Sequence, residues 1–333
     1  MRVILVLTIL AFSLAAQRKP GSPLDHLPGN IEQLTCFGER ADISPDNQRV
    51  AFMNKSFGDA FVADLKTRAI RCLTCNVPGA AFLRVMHIIT GDYILIGPER
   101  FKDIRTSRHA DNELWFLSKE RGSKPVRLGR KMSEGAAVSK QSLKIAYSET
   151  SAQNPSLPKG ASRLFIAEVD PANRRLVNEK MVHQSNDPAC TLEAQDFYAN
   201  DTKMTFTCYE PGDRASVMSM DLNTGRIENM SKSPGTYNEA EGIFPDGRHT
   251  CVEADRQIQT LGGPGGSRQI DIWKLKLDGT GKDFTRLTHF NDYEGFKASN
   301  PVVATDGRFM AFQVARSADE AGVGYGILLY WFR

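Results

Sequence analysis

"GIFPDGRHTCVEA" (residues 242–254) packs an apolar strand, a tight turn and a second, alternating strand into a single short stretch. Pro, Asp and Gly make the turn for different reasons. Pro presets φ, Asp accepts hydrogen bonds from amides just beyond it, and Gly takes positive φ freely. The flanking alternation then reads as a hairpin. The pattern recurs in "ADISPDNQRVAFMN" (41–54), "HIITGDYILIG" (87–97), "AAVSKQSLKIAYSE" (136–149), "QDFYANDTKMTFTC" (195–208) and "PVVATDGRFMAFQ" (301–313). A second series follows these hairpins: "AFVADLKTRAIRCLTC" (60–75), "ELWFLSKERGSKPVRLG" (113–129), "RLFIAEVDPANRRLV" (163–177), "SVMSMDLNTGRIENMS" (216–231) and "DIWKLKLDGTGKDFTRLTHF" (271–290). Two hairpins per unit, repeating every roughly 40 to 55 residues, is the period of a propeller blade.

Six such units fit after about residue 37, which predicts an all-β, six-bladed β-propeller of four-stranded blades. The last unit ends at "GILLYWFR" (326–333), a third strand with no fourth after it. Near the N-terminus, "IEQLTCFG" (31–38) resembles the fourth-strand endings "IRCLTCN" and "FTRLTHF". Ile31 to Cys36 is therefore expected to complete the final blade and close the ring, which removes the edges an open sheet would present.

The hairpins, with their "DLxTG" and "xLT" elements, resemble the TolB-type six-bladed propeller over nearly the whole expected mature chain. The resemblance implies the fold, but it leaves function open because this fold hosts unrelated roles. The α/β domain that precedes the propeller in TolB is not expected here. Prolyl-oligopeptidase-like enzymes carry similar propellers, but no GxSxG elbow occurs in this sequence. Oligogalacturonate-lyase-like enzymes are a further architectural relative, and their metal ligands do not align onto this chain residue by residue.

Bulk properties narrow the partners. The chain has 333 residues, 41% hydrophobic and 24% charged, with a formal charge of +3. No dense basic block with interleaved aromatics appears, so nucleic acid is not an expected partner. The opening "MRVILVLTILAFSLAAQRKPG" has one Arg, an apolar run and small residues at cleavage-like spacing. It reads as a signal peptide (1–16), followed by a linker (17–30) and one propeller domain (31–333). The expected product is a secreted or periplasmic monomer with no membrane span. Six cysteines in an exported chain make disulfides reasonable, and Cys190 and Cys208 flank one strand and turn closely enough to pair. "CLTC" (72–75) lacks the helix N-terminus that redox chemistry wants, and no zinc-finger spacing accompanies it. "GGPGGS" (262–267) lacks the Lys and following helix of a phosphate loop and reads as a blade insertion.

The first strand of each blade lines the channel, so chemistry is expected on those strands. With Ser44 as a register mark and Thr90, Ser139, Ala199, Phe244 and Ala304 as its equivalents, positions three and five residues earlier share one face. That parity collects Glu39, His87, Glu134, Asp196, Glu239 and Glu241. Two readings remain. The acids are solvated or paired with Arg40, Arg84 and Lys297, or they form a ring that binds a cationic ligand or a divalent cation such as calcium or manganese. The metal candidates are Glu39, Glu134, Glu239 and Glu241. "HFNDYEGFKASNP" (289–301) adds Tyr293, Glu294, Lys297 and Asn300, and "CTLEAQDFYAND" (190–201) adds Glu193. Arg256 is a base expected opposite the acids.

Two functions follow. One is a binding module for a protein or carbohydrate ligand at the channel mouth, with Glu39, His87, Glu134, Glu193, Asp196, Arg256, Tyr293 and Asn300 as ligand contacts. The other is a metal-assisted polysaccharide lyase or hydrolase with Glu239, Glu241, Glu294 and Lys297 as catalytic candidates.

Overall fold

Asp46, Asp246 and Asp306 each accept a backbone amide two residues on, from Gln48 (3.1 Å), Arg248 (2.8 Å) and Arg308 (3.0 Å). Their carboxylates therefore set the first hairpin of three blades. Asp64, Asp221 and Asp278 do the same for the turn between third and fourth strands, accepting from the amides of Thr67 (2.7 Å), Thr224 (3.0 Å) and Thr280 (2.9 Å). The "DLxTG" element is this second turn. Built on such turns, the computed structural model, which describes residues 17–319 and 322–332, holds six four-stranded antiparallel sheets. The expected signal peptide at 1–16 lies outside the described residues.

Blades are numbered here in chain order. Their innermost strands are Glu39–Ile43, Arg84–His87, Ala136–Val138, Thr191–Tyr198, Asn238–Ile243 and Phe296–Val303. The core lies between neighbouring blades. Met86, Ile94, Val138 and Ile145 pack between blades 2 and 3, for example, and Cys251, Ile272, Ala298 and Phe312 between blades 5 and 6.

The ring closes as expected. Ile31, Glu32 and Gln33 pair antiparallel with Tyr330, Leu329 and Leu328, so blade 6 takes its fourth strand from the N-terminal end of the domain. The paired strand is shorter than the expected Ile31 to Cys36. Leu34 and Thr35 both donate to the Ile327 carbonyl (2.8 and 3.2 Å), which ends the ladder, and Cys36 is exposed. The stretch before it packs down as well. Leu24 and Leu27 lie against the blade 5/6 cluster, and Lys19 bridges to Tyr293.

The expected period-two register fails on the inner strands. Pairing shifts occur between Glu39 and Asp42, Ala194 and Asp196, Ala240 and Ile243, and Ser299 and Val302, so four of the six inner strands carry bulges. Arg40 (φ 53°) and Asn300 (φ 49°) adopt the left-handed conformation within two of them. Cys190 is bonded to Cys208, and Cys72 to Cys75. Among the described residues no helix is long and apolar enough to cross a membrane.

Candidate functional site

The inner strands enter the ring at one face of the molecule, and their first residues enclose a cavity of about 700 Å³. Its charged groups form two walls. On one side, Glu134 accepts from Arg40 Nη2 (2.8 Å) and from the Nε and Nη2 of Arg108. Burial opposes ionisation of Glu134, but Arg108 and Arg40 outweigh it and hold the carboxyl well below its ordinary range. Glu39, only 1% exposed, accepts from Ser56 Oγ (2.6 Å), and its other oxygen has no hydrogen-bond partner among the described residues. Burial pushes the Glu39 carboxyl up against the opposing pull of Arg40.

On the other side, carboxylates meet with less compensation. Glu239 and Glu253 fall directly opposite one another across the first two strands of blade 5. Glu239, Glu241 and Glu253 each place a carboxylate oxygen within 4.8 Å of the others. Both oxygens of Glu239 accept from tyrosines, Tyr209 and Tyr237, and Glu253 accepts the Asn300 amide (2.5 Å). Burial and then like charge push Glu253 up to about 7 and Glu193 up to about 8, and hold Glu241 well above the carboxylate range. Crowded carboxyls of this kind keep a proton near neutral pH, as acid–base catalysts and proton-linked binding sites do.

Two bases stand near these acids. Lys297 donates to the Ser267 carbonyl (2.9 Å), and burial lowers its ammonium pKa. Burial opposes the charge of Arg84, but Glu241, Glu193, Glu134 and Glu239 outweigh it and raise its pKa, and its Nε is buried with no hydrogen-bond partner among the described residues.

The cavity therefore gathers Glu39, Glu134, Glu193, Glu239, Lys297 and Asn300 from the sequence candidates, with Glu241 just behind it. It does not gather the rest. His87 Nδ1 is bonded to Asp42 (2.8 Å), which also takes Lys140 Nζ (2.7 Å), and this group stands further along the channel. Asp196, pushed up to about 6 by burial, accepts the amides of Phe197 and Ile243 and ties blade 4 to blade 5. Arg256 stacks on Phe284 at 3.8 Å from the ring centroid, Tyr293 lies beneath Lys19, and Glu294 is exposed. The expected metal set of Glu39, Glu134, Glu239 and Glu241 does not converge. Glu134 is taken up by two arginines, and the bulges rotate the strands out of a common register.

The spacing that places side chains at the channel is i, i+3 across the bulges, as in Glu39/Asp42 and Glu193/Asp196. Glu253, Arg108, Tyr209 and Tyr237 were not among the sequence candidates. The one sequence signal for Glu253 is its place opposite Glu239 in a legible hairpin, since like charges directly across a ladder are costly.

No family model matches the sequence, and no curated protein matches it. Solved structures do. A protein assigned as TolB from Agrobacterium tumefaciens superposes with a TM-score of 0.52 at 14% identity, over 81% of this chain and 96% of that one. The fold is the TolB-like six-bladed propeller. An oligogalacturonate lyase in complex with manganese matches this chain with a TM-score of 0.51 at 11% identity, covering 89% and 78% of the two chains. A chain of the mitotic checkpoint complex matches at 0.50 with 10% identity, over 98% and 99%. Identities this low carry the architecture of the TolB-like propeller and nothing about its ligands.

Proposed function

We propose that this protein is a secreted or periplasmic binding propeller that takes a polar ligand, a protein segment or a glycan, into the cavity at the channel mouth. The observation that carries this reading is the cavity itself. Its volume of about 700 Å³ falls within the roughly 300–1,000 Å³ of ligand pockets, and its walls hold convergent charged groups rather than apolar fill. Export is supported by the opening apolar run and by two disulfides. Titration of peptide and acidic-oligosaccharide mixtures into wild type, Arg84→Met and Glu193→Leu tests the site. Binding by wild type that weakens at least about tenfold in both variants is expected. Equal binding in all three would move the site elsewhere.

A second reading is a metal-assisted carbohydrate-active enzyme, favoured by Glu239, Glu241 and Glu253. Three converging carboxylates suit a hard divalent cation such as calcium or manganese. An ion there would polarise a substrate oxygen, with Lys297 and Arg84 as the nearby cationic groups. Because Glu241 and Glu253 hold protons that an ion must displace, affinity would rise with pH. Calorimetry with calcium and manganese at pH 6 and 8, on wild type and Glu253→Gln, decides. No heat in wild type at either pH removes this reading.

A further inference from the structure

The charges of the cavity are sorted around the ring. Blade 1 and the second blade with its insertion contribute Arg40, Arg84 and Arg108, whereas blades 4 and 5 contribute Glu193, Glu239, Glu241 and Glu253. Glu134 and Glu39 stand on the basic side, Glu134 held by Arg40 and Arg108 together and Glu39 lying 3.7 Å from Arg40. Arg84 makes no ion pair or hydrogen bond among the described residues, and its Nε is shut away from solvent. Burial opposes its charge but the surrounding glutamates more than offset it, so Arg84 stays cationic while its guanidinium donors are left free for a ligand. The opposite wall is mainly acidic, with the basic Lys297 near Glu253 and Glu239. Glu239 lies between Tyr209 and Tyr237, whose rings stand 6.5 Å apart at 41°, with Glu193 and Glu253 completing the surround.

We propose that the cavity is a zwitterion site for a short peptide with free termini: its α-ammonium lodges among Glu193, Glu239 and Glu253 beside the two tyrosine rings, and its carboxylate pairs with Arg84. This deepens the binding reading above and rests on it. An ammonium offers three donors and is attracted to aromatic faces, so a wall of three carboxylates and two tyrosines matches it group for group. A carboxylate is the planar acceptor that a free guanidinium binds through two parallel hydrogen bonds. Glycan recognition rests mainly on neutral hydroxyl partners and a flat stacking face, and acidic and basic groups on facing walls fit a peptide better, the arriving ammonium favouring release of the protons that the crowded carboxyls hold.

The test is calorimetry with an equimolar randomised tripeptide library in three forms, with free termini, N-acetylated and C-amidated, beside a mixture of oligogalacturonates. The free library is expected to bind wild type, and N-acetylation or C-amidation to weaken it at least about tenfold each. Arg84→Met should make amidation nearly neutral while leaving the cost of acetylation. Glu239→Gln/Glu253→Gln should do the converse. If a variant fails to fold, the three library forms on wild type still decide. Binding indifferent to acetylation and amidation overturns the proposal. Silence of every library while oligogalacturonates bind through Arg84 also overturns it and leaves the cavity as a binding site. Silence of all four probes removes both readings.

Discussion

Glu134 and Glu193 line the same cavity and are expected to respond to pH in opposite ways. Glu134 is held low by Arg108 and Arg40, so the stability it contributes is present above its ordinary value of 4.5 and is lost as pH falls below it. Replacing Glu134 with Ala strands two guanidinium groups in the wall. The expected loss is about 3–5 kcal/mol by urea unfolding, the usual result of breaking a buried pair from one side. Glu193 is raised from 4.5 to about 8 by burial first and by Glu134 and Glu239 next. Between those values the folded state holds a proton that the unfolded chain has released. Its contribution is complete below pH 4.5 and drains away as pH rises through about 8. Ligand-free wild type should therefore lose stability from pH 5 to pH 8, by on the order of 1 kcal/mol per unit from this group. Glu193→Gln should reduce that slope by its own share, leaving the part due to Glu253 and Glu241, and an unchanged slope would mean that Glu193 is ionised throughout. At this scale the sequence was only partly legible. Parity found Glu39, Glu134, Glu239 and Glu241, but it missed Arg108, which sits in a blade 2 insertion with no periodicity to mark it.

The "xLT" element has a specific structural task. In blade 5 the buried Thr288 hydroxyl accepts the Ile272 amide at the start of the third strand (2.9 Å) and donates to Asp271 (2.9 Å). Thr74 accepts the Ala60 amide, Ser231 the Val217 amide and Thr35 the Ile327 amide in the same way. Each hydroxyl ties the segment after a fourth strand to an amide of the third, at or near its start in three blades and at Val217 within the strand in blade 4. Thr288→Val keeps the shape and removes the acceptor, so it is expected to cost about 1–3 kcal/mol. Thr285→Val, at an exposed position of the strand just before it, should stay within roughly 0.5 kcal/mol. Equal effects in urea unfolding would show that the hydroxyl contributes no more than a surface side chain. Turns were readable because their chemistry is local, and the "xLT" element was visible as a repeat although its hydroxyl bond was not. Bulges were not, because Arg40 and Asn300 take positive φ without the glycine that would have announced it.

Closure belongs to the whole molecule, and it was the most legible of the long-range features because Thr35 repeats the "LT" tie of the other blades. The tie joins residues 292 positions apart, Thr35 and Ile327, whereas every other blade pairs strands close in sequence. Loop-closure entropy grows with the logarithm of that separation and must be met before the contact returns anything. Local blades should accordingly form before the ring shuts, which places the Ile31–Gln33 strand late in folding. Ile31 is 7% exposed and packs in the blade 5/6 cluster, so Ile31→Ala should cost about 2–5 kcal/mol at equilibrium. A contact formed after the transition state changes unfolding and leaves folding nearly alone. In stopped-flow experiments the variant is therefore expected to unfold faster by nearly the whole free-energy change, with a refolding rate within about twofold of wild type. If instead refolding slows by most of that change, the two ends of the domain meet in the nucleus, and closure guides assembly of the blades rather than following it.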